Sequence, residues 1–441
     1  MIAADLYTEL KDLFPHIQIK IENNEEHLLG NRGKVCVYPH SEREISQILQ
    51  YANRNRKKIC TEGGGTKRGF GGLIQSTDIL MSLANLKGIV DHTVGDMTLT
   101  VKAGTPFQEL QQYLQHHNQQ IPLDPAWPVY ATIGGIIAAN ESGPKRLGYG
   151  SARDAVIGLR VVYPNGTIVR TGGKVVKNVA GYDMNKLFVG SMGTLGILTE
   201  ITLKLRPLPK YESVVLISFP DENLDEIHSF VVRFLDSQME PVSLELLNPT
   251  LAEKLAGEKQ YTLVISFEDH ENSVHYQEAF LQSFRPPKTN MTILANEKAS
   301  QFWNEFYTIS PNPQAVNAPT KTIAMLKIGV INLDVLKIIQ ESHLIQDSHN
   351  LWIQAHGGLG HGICQVLLKG ASENVLSAIQ QLRNIATQLG GYAIVKHMPF
   401  SLRQIIDPWG EKPEYFFLLE GIKTKIDPNR ILNPKRFVGG I

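Results

Sequence analysis

The sequence predicts an α+β fold in two unlike parts, and three observations carry that prediction. Between residues 34 and 72 a strand-like run, an amphipathic run and a second strand-like run lead into a glycine-rich loop, which is the order of a βαβ unit. Two more glycine-rich turns follow by residue 196. Beyond residue 210 the order strand, helix, strand, strand, helix, strand occurs twice, as in a pair of ferredoxin-like units.

The elements follow in turn. "KVCVYP" (34–39) reads as a strand. "SEREISQILQYANRN" (41–55) reads as a helix with Ser41 and Glu44 as a capping box and Ile45, Ile48, Leu49 and Ala52 on one face. "KKICT" (57–61) is a second strand, and "TEGGGTKRGFGG" (61–72) comes directly after it. That loop fails the Walker A rule, because Thr66 precedes Lys67 where the rule needs glycine. It fails G-x-G-x-x-G as well, since Arg68 holds the sixth place from Gly63. A surface loop and a phosphate cradle both remain open on the loop alone; its place at the carboxyl end of a parallel strand favours the cradle.

Next, "MTLTVKAG" (97–104) alternates as a half-buried strand, and "TPFQELQQYLQHH" opens a helix with Thr105 as cap and Pro106 at the first helical position. In "PAWPVYATIGGIIAANESG" (125–143) Thr132 caps a helix whose first turn holds Gly134 and Gly135, with Ala138 and Ala139 after them. Small residues there are expected to leave amides bare for a flat ligand. "VIGLRVVYPNGTIVRTGG" (156–173) is a hairpin turning at Pro164–Asn165–Gly166, and "GSMGTLGILTEITLKLRP" (190–207) is a glycine loop running into a long strand. Three such turns suggest one extended ligand with a diphosphate and a flat ring. "RPLPK" (206–210) reads as a linker. The first ferredoxin-like unit runs from "ESVVLISFP" to "KTNMTILA" and the second from "KTIAMLKIGV" to "YAIVKHM", with helices expected on one face of the sheet. The stretch 294–320, with three prolines, reads as a joint between them, and a helix with a proline-rich tail closes the chain.

Composition narrows the function classes. Lys plus Arg equals Asp plus Glu at 43 each, which gives no electrostatic case for nucleic acid or an anionic membrane. No apolar run reaches membrane-spanning length, and "MIAADLYTELKDLF" spaces its apolar residues as a helix rather than a signal peptide. Cys36, Cys60 and Cys364 are scattered, so neither an intrachain iron–sulfur cluster nor a disulfide framework is expected. A cytoplasmic location follows as an expectation.

Residues 34–209 resemble the FAD-binding domain of the vanillyl-alcohol oxidase and p-cresol methylhydroxylase (PCMH) superfamily, through "PAWPVYATIGGIIAANESGPKRLGYGSARDAVIGLRVVYPNG" and "KLFVGSMGTLGILTEITLKLRPLP". "GGKVVKNVAGYDMNKLFVGSMGTLG" and "PWGEKPEYFFLLEGIKTKIDPNRILNPKRFVGG" further resemble the E-subunit family of bacterial glycolate oxidase. The resemblance implies a PCMH-type FAD-binding domain at 1–210, with subdomains at about 1–90 and 91–210. It implies a cap domain at 211–398 and a C-terminal segment at 399–441 that returns to the FAD domain. It implies that Gly63, Gly64, Gly65, Thr66 and Lys67 wrap the FAD pyrophosphate. Pro125, Thr132, Gly134, Gly135, Ala138, Asn140, Gly143, Tyr149 and Gly150 would lie on the isoalloxazine and ribityl side. Gly193, Gly196, Ile197 and Leu198 would approach the adenine end or the ring, and Asn433 matches an asparagine near the flavin. Lys435 stands where the family has glycine. Thr66 and Lys67 occupy the place of the histidine that attaches FAD in many members, so a non-covalent flavin is expected.

Relatives that oxidise D-2-hydroxy acids carry H-x-G-D-G-N-x-H and E-H-G as divalent-metal ligands. In "HGGLGHGI" (356–363) only His356 matches; Leu359 and Ile363 replace the other two ligands, and His361 is displaced by two. No metal is expected, and the histidines read as the edge of a strand–turn–strand. No catalytic base stands out; Lys145, Arg146, Lys174 and Lys177 are no more than nearby charges. The resemblance implies a FAD-linked oxidoreductase of a glycolate-like 2-hydroxy acid. Either it is a flavin subunit of a glycolate oxidase complex with a sister flavin subunit and an iron–sulfur subunit, reaching a membrane only through those partners, or it is a self-sufficient oxidase or dehydrogenase. A paralogue with a vestigial flavin site fits poorly with three intact glycine loops.

Overall fold

The computed structural model describes residues 3–22, 28–174, 181–221, 223–312 and 320–441. Lys177, much of "KVVKNVAG" and two of the prolines of the 294–320 stretch lie outside them.

Strands β1 (Gln18–Ile21), β2 (Arg32–Tyr38), β3 (Ile59–Glu62) and β4 (Ser76–Ser82) form a sheet in the order β1-β2-β4-β3. β4 lies parallel to both β2 and β3, so the two strands of the βαβ unit are separated by a strand that follows the glycine loop. The helix Glu42–Arg54 between them begins at Ser41, whose hydroxyl accepts the Glu44 amide at 3.3 Å, while the Glu44 carboxylate accepts the His40 amide at 2.7 Å. Its Ile45, Ile48, Leu49 and Ala52 are all fully buried, as their spacing requires.

A second sheet is built from β5 (Ile89–Thr93), β6 (Thr98–Lys102), β8 (Val156–Val162), β9 (Ile168–Gly172) and β10 (Ile197–Lys204), in the order β5-β6-β10-β8-β9 and antiparallel throughout. β7 (Gln119–Gln120) pairs with β11 (Arg206–Pro207), which pins the stretch expected as a linker. Pro106 is the N-cap of the helix Phe107–Gln115 rather than its first residue. The Thr105 hydroxyl is spent on Lys102 O at 2.7 Å and does not cap.

Strands β12 (Tyr211–Phe219), β13 (Ser243–Leu247), β14 (Tyr261–Asp269), β15 (Asn290–Ala295), β16 (Thr322–Gly329), β17 (Trp352–Gly358), β18 (Ile363–Gly370) and β19 (Tyr392–His397) make one eight-stranded sheet. Its order, β15-β12-β14-β13-β17-β18-β16-β19, is two ferredoxin-like sheets joined edge to edge. The seam is the antiparallel β13–β17 pairing of Leu247 with His356 and Glu245 with Gly358. Because side chains alternate across a sheet, Leu326, Ala355 and Val366 go to one face, under the helices Leu224–Leu235, Glu271–Phe284, Val335–Ser348 and Ser372–Gln388.

The expectation of helices on one face only does not hold. Helices Pro249–Ala256 and Glu297–Phe306 cover Val214, Leu216, Leu247 and Val264 on the other face. The second of them occupies the stretch read as a joint. Beyond them the same face carries Glu245 at the seam and His356, Gln365 and Lys327 in cross-strand succession, with Met325 beside them, toward the first half of the chain.

Candidate active site: a cofactor cleft and an adjoining cavity

The glycine loop after β3 is held from behind by its carbonyl groups. The Asn31 side-chain amide donates to Arg68 O at 2.7 Å and Gly71 O at 3.0 Å. Arg436 donates to Phe70 O at 3.0 Å and Lys67 O at 2.8 Å, and Arg403 to Gly72 O at 3.1 Å. With the carbonyls so engaged, the amides of Gly63 to Lys67 find no acceptor among the described residues. Successive unspent amides around a concavity form an anion nest.

The loop also leaves no room for side chains. A Cβ on Gly64 would lie 1.6 Å from Tyr130 O, and one on Gly63 would lie 2.1 Å from the Thr132 hydroxyl. Gly65 has φ +73°, which favours glycine on conformational grounds as well.

Thr132 does cap the helix Ile133–Ala139, accepting the Gly135 amide at 3.4 Å. The expected bare amides are not found there, however. Ile133 N and Gly134 N are already bonded to Thr105 O at 3.0 Å and Ala103 O at 2.8 Å. The free donors belong to the loop, and the helix supplies small side chains instead.

One continuous cleft runs along these elements. Thr61, Gly63, Thr132, Gly135, Ala138 and Met192 line both of its halves. Gly64, Gly65, Thr66 and Lys67 complete one end, and Gly134, Gly193, Gly196, Ile197, Leu198 and Asn433 the other. Asn433 ties the two together, accepting the Thr61 amide at 3.0 Å and donating to Gly193 O at 2.8 Å. Lys435 has φ +57°, a backbone state that favours glycine, and its carbonyl still accepts the Leu73 amide at 3.2 Å. No histidine, cysteine or tyrosine is among the described residues lining this cleft.

Other expected residues fall elsewhere. Asn140 ends the helix in the left-handed region, with φ +46°, against Gly190. Pro125 sits between Asp124 and Ala126, which together with Gly143 line a second cavity. Tyr149 is turned away from the cleft and, ahead of Gly150, donates its hydroxyl to Glu268 of β14. Beside it Lys145 binds Glu212 at 2.6 Å and Glu268 at 2.5 Å, clamping the first half of the chain to the eight-stranded sheet.

That second cavity lies between the 124–144 loop and the polar sheet face. The loop contributes Asp124, Glu141, Ser142 and Gly143, and the sheet side contributes Tyr307, Met325, His356 and Gln365. Lys67 reaches across from the glycine loop to pair with Glu141, whose other oxygen is 3.8 Å from Lys396. Burial raises the affinity of Glu141 for a proton, but the two lysines outweigh it and hold the carboxyl below its ordinary range. Lys67 is therefore half-buried and paired rather than free in solvent. Asp124 accepts the amides of Gly143 and Lys145, both at 2.7 Å; burial prevails there and pushes its pKa up to about 7.

His356 and His361 do occupy a strand and a turn, as expected, but they share Glu245. His356 Nδ1 is 2.7 Å from Glu245 Oε2, and His361 Nε2 is 3.2 Å from Oε1. Leu359, where the resemblance would place an aspartate, is buried in the core. Among the described residues no group of three potential ligands converges on a metal position. No helix is long and apolar enough to cross a membrane, again among the described residues.

Comparison with known proteins agrees with this geometry. The FAD binding domain family matches residues 33–172. Mitochondrial D-lactate dehydrogenase [cytochrome] of Arabidopsis thaliana is 27% identical over 438 residues, covering 94% of this chain and 75% of the relative. Glycolate oxidase subunit GlcD of Bacillus subtilis is 28% identical over 423 residues, covering 90% and 87%. Among solved structures, p-cresol methylhydroxylase with substrate bound superposes with a TM-score of 0.76 at 14% identity, covering 98% of this chain and 96% of that one. 4-Ethylphenol oxidase from Gulosibacter chungangensis gives 0.75 at 14% with the same coverage. With a FAD binding domain in its first half and relatives along nearly its whole length, the chain is a FAD-binding oxidoreductase, and it has the fold of p-cresol methylhydroxylase.

Proposed function

We propose that the chain oxidises a small 2-hydroxy acid in the cavity between its FAD-binding domain (1–210) and its cap (211–398), with 399–441 completing the cofactor cleft. The observation that carries this reading is the polar row His356, Gln365, Lys327 on a sheet face directed at that cavity. An acid substrate needs a cation for its carboxylate and an acceptor for its hydroxyl proton, and the row offers both. Relatives named for D-lactate and glycolate support the substrate class. FAD, when bound, supplies the two-electron acceptor. Its pyrophosphate fits the amides of Gly63 to Lys67, with Thr132, Gly134, Gly135, Ala138, Gly193, Gly196, Ile197, Leu198 and Asn433 along the remainder. Pro125, Asn140 and Gly143 shape the loop toward the ring. The flavin is held without a covalent bond, a reading supported by a described lining that offers no histidine, cysteine or tyrosine.

Lys327 has no hydrogen-bond or ion-pair partner among the described residues, and its cross-strand neighbour Gln365 lines the cavity and accepts from Lys396 at 3.3 Å. Burial, aided by Lys396 and Arg146, lowers the Lys327 pKa to about 8. The ammonium form is present below that value and lost above it. Affinity for oxalate, followed by titration of the flavin-loaded protein, is expected to fall about tenfold as the pH rises through 8. Lys327→Met should weaken binding at neutral pH and flatten that dependence; an unchanged profile would remove Lys327 from the site.

A second reading concerns assembly. One relative is itself a subunit of glycolate oxidase, and Cys36, Cys60 and Cys364 are each buried and free, three thiols where an iron–sulfur cluster takes four ligands. In that reading a sister flavin subunit oxidises the 2-hydroxy acid, this chain relays electrons or completes the assembly, and an iron–sulfur subunit takes the electrons up, in the cytoplasm and with membrane contact made only by partners. An anaerobic absorbance spectrum before and after glycolate or D-lactate separates the readings. Bleaching by substrate makes the chain an enzyme alone, while bleaching only by dithionite favours a subunit that needs its partners. A protein that binds no FAD refutes both.

A further inference from the structure

Glu245 is 1% exposed, in the middle of the polar sheet face, and serves two imidazoles with its two oxygens. Burial favours its neutral form, but hydrogen bonds from His356 and His361 outweigh this and hold the carboxyl below its ordinary range. His361 is fixed by contacts of its own: its Nδ1 accepts the Ile363 amide at 3.2 Å, so its Nε2 carries the proton given to Glu245. His356 faces the same carboxylate through Nδ1, which must therefore be its donor. Its Nε2 is left as a lone-pair acceptor with no partner among the described residues, on a side chain that lines the cavity. Phe306 packs edge-on against the ring at 4.7 Å between centroids and restricts its rotation.

We propose that His356, oriented by Glu245, is the base of this cavity, taking the 2-hydroxyl proton of the substrate on Nε2. The inference rests on the hydroxy-acid reading above. As the O–H bond breaks toward Nε2, bound FAD would supply the acceptor for the C2–H pair as hydride, and the hydroxy acid would become a 2-oxo acid. The imidazolium so formed is stabilised by the Glu245 carboxylate, an arrangement that needs no metal to acidify the hydroxyl. The other groups at the cavity are less suited. Both Asp124 oxygens already accept backbone amides, Glu141 is spent on two lysines, and burial drives the Tyr307 hydroxyl well above its ordinary pKa, leaving it a donor. Glu245 gives its two oxygens to the histidines and is not among the described residues lining the cavity, so it is a positioning residue.

The test uses the flavin-loaded full chain and its His356→Ala and Glu245→Gln variants. Flavin content and oxalate affinity are measured first, since oxalate carries no hydroxyl proton; both are expected within about threefold of the parent. The limiting rate of anaerobic flavin reduction by glycolate or D-lactate should then fall by about 10²–10⁴ in His356→Ala. Added imidazole should restore part of it, which a loss of packing would not allow. Glu245→Gln should lower the limiting rate while leaving the half-saturating concentration nearly unchanged. Reduction of His356→Ala at the parent rate, or a loss that imidazole leaves untouched while oxalate still binds, overturns the base assignment. A parent chain that binds FAD and oxalate yet is reduced by neither acid overturns the hydroxy-acid reading itself, and the base with it.

Discussion

Gly64→Ala is expected to purify without flavin colour and to bind added FAD at least about 100-fold more weakly than the parent, a loss of about 2.7 kcal/mol. The reason is local and steric. The new Cβ would sit 1.6 Å from Tyr130 O and 2.7 Å from Tyr130 C, both backbone atoms, so no side-chain rotation relieves the overlap. Either the glycine loop or the 130–132 turn must move, and the amides of Gly63 to Lys67 lose their common focus. Two other substitutions grade the effect. At Gly63 the obstacle is the Thr132 hydroxyl at 2.1 Å, which can rotate away at the cost of the helix cap, about 1 kcal/mol. At Gly135 the same hydroxyl lies at 3.3 Å, a contact that yields with small movement. Titration calorimetry with FAD should thus rank the losses Gly64→Ala, then Gly63→Ala, then Gly135→Ala. A Gly64→Ala protein with parental flavin content would place the pyrophosphate elsewhere.

The residues of that loop show how far sequence alone reaches. Its backbone geometry was legible because a local feature, glycines directly after a strand, determines a local turn. The doubled ferredoxin-like order was legible for the same reason, since each element advertises its own period. Two helices passed unrecognised although their signals are present. Asn248 and Pro249 start one helix and Gly257, at φ +80°, stops it; Ala299, Phe302, Trp303 and Phe306 mark the buried stripe of the other. What no local reading could supply is the pairing across distance. Glu245 and His356 meet only because β13 and β17 form the seam between the two halves of the sheet. Arg403 and Arg436 hold the glycine loop from more than 300 positions away. The bare amides expected at the helix after Thr132 failed for a related reason: Ala103 and Thr105 of a distant turn had already satisfied them.

The C-terminal segment depends on one buried ion pair, and Asp427→Ala is expected to destabilise the protein by about 3–5 kcal/mol while releasing FAD. Asp427 is 0% and Lys423 1% exposed. Asp427 accepts Lys423 Nζ at 2.7 Å and the amides of Ile431 and Leu432 at 3.1 and 3.0 Å, while Lys423 also donates to Thr194 O at 2.8 Å and Leu432 O at 3.1 Å. Truncating the aspartate leaves a charged lysine without its counter-ion and two amides without an acceptor. The segment it holds carries Leu432, which bridges Ile59 of β3, and Asn433, which joins Thr61 to Gly193 across the cofactor cleft. Stability and cofactor binding should therefore fall together. Lys423→Met in the same background removes the stranded charge, so the double variant should regain stability and remain below the parent by about 1–3 kcal/mol for the amides still unpaired. Denaturant unfolding of the parent, both single variants and the double variant gives the coupling directly. Simple additivity of the two single losses would mean that the pair is not coupled, and that the tail is fixed by its other contacts, those to Ile59, Thr61 and the glycine loop.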